Sequence, residues 1–145
     1  MLIEHSVAIY ADINTLWNIF TDMTCWKDWS TVLGDVSSEE KRLKEGKAFT
    51  FCIRPFAVPI HIKPEVEEVV PGKRIVWSGG KFGIHARHEF IFQEEKDYVI
   101  LTSKEIFHSS PLKRLFFHFP RKRLHQLSVM LLKELKEAAE KAGVK

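Results

Sequence analysis

The chain has only two cysteines in 145 residues, Cys25 and Cys52, and neither sits in a CxxC or a Cys/His cluster. That excludes a disulfide framework and a zinc site built on thiolates, and leaves two reduced thiols of the kind expected in the cytoplasm. Tyrosine is equally scarce: 2 Tyr stand against 11 Phe and 4 Trp, so the aromatic rings come almost without polar tips. No apolar run approaches the roughly 20 residues needed to span a bilayer. The N-terminus mixes Glu4 and His5 into its apolar residues and lacks the h-region of a signal peptide, so a cytoplasmic location is expected. Neither sign of charge prevails: 22 Lys and Arg against 19 Asp and Glu leave +3, too slight a bias to call for nucleic acid. P-loop, GxGxxG, GxSxG and HExxH patterns are missing, and no cofactor or metal is expected.

What remains is 45% hydrophobic and 28% charged, the composition of a globular domain, with no linker, repeat or low-complexity tract; residues 1–145 read as one domain. Residues 2–10 (LIEHSVAIY) alternate as a strand. Asp12 or Asn14 can cap a short helix carrying Leu16, Trp17 and Phe20, and Thr24 to Trp29 adds a further turn or two. Strands are expected over 33–43, 47–54, 58–70, 73–79, 82–94 and 97–108, separated by Glu45-Gly46, Pro55 to Pro59, Pro71-Gly72, Gly79-Gly80 and Lys96-Asp97. Connections this short favour antiparallel neighbours. After Ser110 the period turns helical. Leu112, Leu115, Phe116, Phe119, Leu124, Leu127, Leu131, Leu135, Ala138 and Ala142 form one stripe, with a kink expected at Pro120 and an end at Gly143. The order predicts an α+β fold. A strongly curved antiparallel β-sheet wraps around a long C-terminal α-helix, with two short helices after the first strand.

Several features recur in a familiar order: Ile9-Tyr10-Ala11 leading to Leu16-Trp17, Asp22, Trp29, Gly46, and Val66 to Pro71 followed by Arg74-Ile75-Val76-Trp77. His88-x-Phe90-x-Phe92, Glu105-x-Phe107 and the long helix complete it. Together they resemble the START-like, or Bet v 1-like (SRPBCC), helix-grip superfamily, in its polyketide cyclase/dehydrase branch, over nearly the whole chain. Ser109 stands where that pattern usually has Gly. The resemblance implies a hydrophobic ligand cavity between sheet and helix. Its members span lipid and hormone carriers, cyclases, ring-oxygenase domains and chaperone activators, so the fold by itself selects no activity.

Strand alternation assigns the faces. Ile84, Ala86, His88, Phe90 and Phe92 share the inward face of their strand, as do Ile75 and Trp77, Ile60, Ile62, Pro64 and Val66, and Phe49, Phe51 and Ile53. Over 99–107 alternation leaves two choices: Val99, Leu101, Ser103, Glu105 and Phe107 on one face, Ile100, Thr102 and Ile106 on the other. The resemblance turns Glu105 and Phe107 inward. His88 and Glu105 then meet an apolar interior, where desolvation lowers the imidazole pKa and raises the carboxyl pKa, while a direct pair would favour both charged forms. They are the candidate acid and base. Phe49, Phe51, Ile62, Trp77, His88, Phe90, Glu105, Phe107 and Phe116 are the expected ligand-binding set. Trp17, Trp26 and Trp29 could line a mouth or belong to the core. Lys113, Arg114, Arg121, Lys122 and Arg123 surround Phe116, Phe117 and Phe119, a pattern open to membrane-surface contact or to a solvated helix face.

The leading expectation is a carrier of a hydrophobic small molecule, lipid-like, polyketide-like or aromatic, because an apolar wall with one or two polar groups is what such pockets are made of. The alternatives are a cofactor-independent cyclase or dehydratase using His88 and Glu105, and a protein-interaction module whose cavity is filled by its own side chains.

Overall fold

The computed structural model describes residues 2–53, 60–81, 84–109 and 121–143. Strand β1 (Leu2–Ile9) buries Ile3 and Ile9 and half-buries His5 and Val7 on one face. Asp12 is the helix cap: its carboxylate accepts from the backbone N–H groups of Asn14 and Thr15 and opens α1 (Ile13–Thr21). Leu16 and Phe20 are the buried face of α1. Asp22 repeats the device on Thr24, and a 3₁₀ turn (Met23–Cys25) leads into α2 (Trp26–Trp29). The two short helices expected after the first strand are these.

The strands that follow are β2 (Gly34–Ser37), β3 (Thr50–Ile53), β4 (Ile60–Ile62), β5 (Glu65–Val70), β6 (Arg74–Lys81), β7 (Ile84–Glu94) and β8 (Val99–Ser109), and the chain closes on α3 (Arg121–Ala142). All pairings are antiparallel. They form a five-stranded sheet in the order β1-β8-β7-β6-β5 and a three-stranded sheet in the order β2-β3-β4. The α+β architecture with a C-terminal helix across an antiparallel sheet is thus as expected, but the single sheet is two.

Four boundaries differ from the alternation pattern, each for a local reason. The strand expected over 33–43 stops at Ser37. Beyond it the Ser38 hydroxyl takes the Glu40 N–H, and Lys41 to Leu43 dock on the exit of α1, with Met23 N–H donating to Lys41 O and Leu43 N–H to Thr21 O. The segment 47–54 starts its strand only at Thr50. Gly46 to Phe49 instead bond to Pro64 and Val66, so this stretch joins the two sheets. The run 58–70 breaks at Lys63-Pro64, because Pro64 has no N–H to give a ladder; β4 falls in one sheet and β5 in the other. Gly79-Gly80 is not a turn but part of β6, paired with Ala86 and His85. A Cβ at Gly79 would lie 3.2 Å from Pro64 Cα, so glycine marks a backbone crossing rather than a bend.

On α3 the buried residues are Leu124, Ser128, Leu131, Leu132, Leu135 and Ala139, while Leu127 and Ala138 are half-buried and Ala142 is exposed. The expected stripe therefore rotates toward Ser128, Leu132 and Ala139. Gly143 ends it, its N–H returning to Ala139 O. The expected first part of this helix and the kink at Pro120 lie outside the described residues. Among the described residues no helix is long and apolar enough to cross a membrane.

The inner face of the large sheet carries Val66, Ile75, Trp77, Phe90, Phe92, Val99 and Leu101, all buried against α1 and α3 in one core. The outer face is charged: Arg87 pairs with Glu67 and Glu89, and Arg74 with Glu68 and Glu89. Val76, on this outer side between Glu68 and Glu89, is fully buried.

Candidate functional site

The interior holds two chemically distinct zones. The first is a cluster of rings. Trp77 meets Phe90 at 4.8 Å between centroids and Phe49 at 5.2 Å, and Phe20 meets Phe90 at 4.7 Å. Trp26 joins at 5.6 Å from Phe49, and Phe51 stacks on Phe49 at 5.8 Å. Trp26 is fully buried, with its indole N–H donating to Phe20 O at 2.8 Å; it belongs to the core and not to a mouth. Trp17 and Trp29 are half-buried and pack on the same core. The Trp29 indole nitrogen is buried and has no hydrogen-bond partner among the described residues.

The second zone is polar and lies where β7, β8 and α3 converge. In the β7–β8 ladder His88 stands opposite Glu105, and Phe90 opposite Ser103, so His88 and Ser103 are diagonal neighbours on the inner face. His88 Nε2 is 2.6 Å from Ser103 Oγ, and from the helix Ser128 Oγ donates to Ser103 Oγ at 3.2 Å. His88 Nδ1 lies 3.8 Å from Glu105 Oε1. The His88 ring also stacks on Phe90 at 4.0 Å and meets Trp77 edge-on at 5.5 Å, so the polar zone adjoins the ring cluster directly.

Burial dominates the electrostatics. Desolvation holds the His88 imidazole down to about 3 and pushes the Glu105 carboxyl up to about 7. The mutual support of two charged forms that a direct pair would give does not develop, because 3.8 Å exceeds hydrogen-bond reach and the medium is apolar. At neutral pH His88 is uncharged. Ser103 Oγ accepts from Ser128 and has room either to accept from or to donate to His88 Nε2; when it donates, the imidazole hydrogen lies on Nδ1, on the Glu105 side.

The expected residues distribute as follows. Phe49, Phe51, Trp77 and Phe90 are together in the ring cluster, and His88 and Glu105 are together in the polar zone. Ile62 is half-buried against the core from β4. Glu105 and Phe107 take the face of Val99, Leu101 and Ser103, and Phe107 is half-buried. Phe116 lies outside the described residues, as do Lys113, Arg114, Phe117 and Phe119; Lys122 and Arg123 are exposed. Sequence reasoning missed Ser103 and Ser128 as partners. The signal was a serine within each apolar face: Ser103 between Leu101 and Glu105, and Ser128 four residues after Leu124. Among the described residues no group of three His, Cys, Asp or Glu is placed to hold a metal ion.

A separate cleft of about 490 Å³ opens where β1 meets α1, beside the β7–β8 turn and the end of α3, with Tyr10, Asp12, Tyr98 and Glu140 in its walls; none of the expected site residues lines it.

Residues 10–123 match the activator of Hsp90 ATPase homolog 1-like proteins, and the chain belongs to that family. This places it within the START-like, or SRPBCC, superfamily that the sequence resembles. No protein of curated function matches the chain. Among solved structures it is similar to a hypothetical protein from Helicobacter pylori, at 19% identity and a TM-score of 0.78 over 96% of this chain and 88% of that one. A START superfamily protein from Mycobacterium smegmatis shares 11% identity with a TM-score of 0.70, over 98% of this chain and 96% of that one. The Aha1 dimer from Colwellia psychrerythraea gives 16% and 0.71, over 97% of this chain and 96% of that one. At these identities the likeness is one of fold, and the fold commonly binds hydrophobic ligands.

Proposed function

We propose that the protein binds a hydrophobic small molecule between the large sheet and α3, with the ligand's apolar body against the aromatic wall and its polar end at His88 and Glu105. The observation that carries this reading is Glu105. Its carboxyl is mostly buried, and among the described residues its one polar contact is His88, at 3.8 Å. A largely desolvated acid that makes no hydrogen bond among the described residues is costly to keep ionised, and the polar end of a ligand would offset that cost. A small polar group, His88 and Glu105 backed by Ser103 and Ser128, on an otherwise apolar wall is the composition of a pocket that orients an oily ligand by one end. Phe49, Phe51, Ile62, Trp77, Phe90 and Phe107, together with Phe116, supply the apolar surface in this reading.

Native mass spectrometry of the purified protein tests it. A co-purifying apolar mass, released by organic solvent, is the expected result. A reproducibly empty protein that also fails to take up a neutral apolar probe would overturn it and turn attention to a protein partner, the kind of role the family's name describes.

One observation favours a second reading, acid/base catalysis of the cyclase or dehydratase type. A carboxyl brought to about 7 beside a neutral imidazole is poised to exchange protons at neutral pH. On that reading His88→Ala lowers turnover of a flexible carbonyl substrate by roughly 10²–10⁴-fold while binding is largely kept; on the carrier reading no turnover is found in either protein.

A further inference from the structure

The direction of the hydrogen bonds says more about the ligand than the burial does. With Ser103 donating to His88 Nε2, the tautomer that a fork for oxygen requires, the chain runs from Ser128 to Ser103 to His88 Nε2. It ends with the Nδ1 hydrogen facing a carboxyl oxygen 3.8 Å away. That gap is too long for the two groups to bond to each other. An oxygen set to one side, about 2.8–3.0 Å from both, would join them.

We infer that His88 and Glu105 form a fork for a single uncharged oxygen, so that the site takes hydrophobic alcohols and ketones and turns away carboxylates. This deepens the carrier reading above and rests on it. A hydroxyl satisfies the fork by accepting from Nδ1 and donating to the carboxylate. A carbonyl satisfies it by accepting from Nδ1 and from the protonated acid. A carboxylate does neither well. It would face a second acid in an apolar site, where like charges disfavour each other strongly. No cation among the described residues is placed to neutralise it. On β7 and β8 the basic side chains Arg87 and Lys104 stand opposite Ile106 and Glu89 in the ladder, on the outer face. On α3 the buried positions are Leu124, Ser128, Leu131, Leu132, Leu135 and Ala139, none of them basic. His5, half-buried on β1 opposite Ser103, and His125, its ring neighbour at 5.9 Å, are other ionisable groups along this seam. Burial lowers the pKa of His5, which disfavours its charged form.

The test is displacement of the neutral fluorophore N-phenyl-1-naphthylamine at pH 8 by 1-decanol, 2-decanone, decanoate and decane, which share a chain length and differ at the head. Each hydrogen bond gained is worth about twofold to tenfold in affinity. The alcohol is therefore expected to compete at least several-fold better than decane and better than decanoate at pH 8. The ketone should do so when the displacement is repeated at pH 6, where the acid is protonated and can donate to it. In Glu105→Gln, which keeps the shape and loses the charge, decanoate should recover relative to decanol. Equal competition by decanoate and decanol in the unmodified protein overturns the fork and leaves the carrier reading standing. So does equal competition by decane, which would show an apolar pocket with no polar anchor. Failure of the fluorophore and all four competitors to bind overturns the carrier reading itself, and the fork with it.

Discussion

At the scale of single residues, the polar zone makes two predictions of opposite sign in pH. Glu105 has its folded pKa raised to about 7 from 4.5, so between those values the folded protein binds more protons than the unfolded chain. Stability therefore falls as pH rises through that window. Glu105→Gln removes the effect, and the variant should gain up to about 3 kcal/mol relative to the unmodified protein on going from pH 4 to pH 8. Urea titrations at the two pH values measure it; a difference independent of pH would mean that the carboxyl is well solvated. His88, lowered to about 3 from 6.5, acts at the acid end. Its contribution is present above 6.5 and is lost as pH falls toward 3, so His88→Gln should flatten the acid limb of the stability profile. Ser103 is the hinge of the network. Ser103→Ala orphans both Ser128 and His88 Nε2 and should cost about 1–3 kcal/mol, read from the shift of the urea midpoint. The inward histidine was legible because strand alternation needs only the period of two, whereas alternation left the side of the acid open and the family resemblance chose it. Their partners were not, since a diagonal contact such as His88–Ser103 depends on which strands pair and in what register, and Ser128 comes from an element 25 residues further on.

Among the elements, the crossing of β6 over the Lys63-Pro64 break is the most demanding contact. The Cβ of Gly79→Ala would meet backbone, not a side-chain tip that could swing away, so the strands must part by some tenths of an ångström. Destabilisation of about 1–3 kcal/mol is expected, the usual cost of overpacking, whereas Gly80→Ala should cost less; thermal denaturation of the two variants compares them. From sequence, a Gly-Gly pair between two apolar runs reads as a turn, and only the neighbouring chain reveals it as a point of close approach. Pro64 carried the opposite signal. Its missing N–H was visible, but alternation continues through it from Ile62 to Val66, and that continuity hid the change of sheet. On α3 the error was one of phase. Stripe positions three and four apart fit Ala138 and Ala139 almost equally, and packing against β1 and α1 chose Ala139.

For the whole molecule, α3 closes the core: Leu131, Leu132, Leu135 and Ala139 are buried against the sheet, and Lys136 reaches across to the Ala8 carbonyl at 2.6 Å. A chain ending at residue 120 should lose its cooperative urea transition; a retained sharp transition would mean that the sheet and short helices hold a core alone. The same architecture sets an order of events in time. The β7–β8 hairpin pairs eleven residues on each strand around a turn in which Glu95 N–H meets Tyr98 O, so nearly all of its contacts are local. Strand β1 joins the same β8 from the far end of the chain, with Ser6 and Thr102 bonded across 96 residues. Closing so long a loop early is entropically unfavourable. Conservative substitutions at Phe90 or Leu101 should therefore slow refolding, with φ-values well above those at Ile3 and Ile9, which should chiefly speed unfolding. Strand β1, though it precedes its partner by more than 90 residues, would be among the last to take its place.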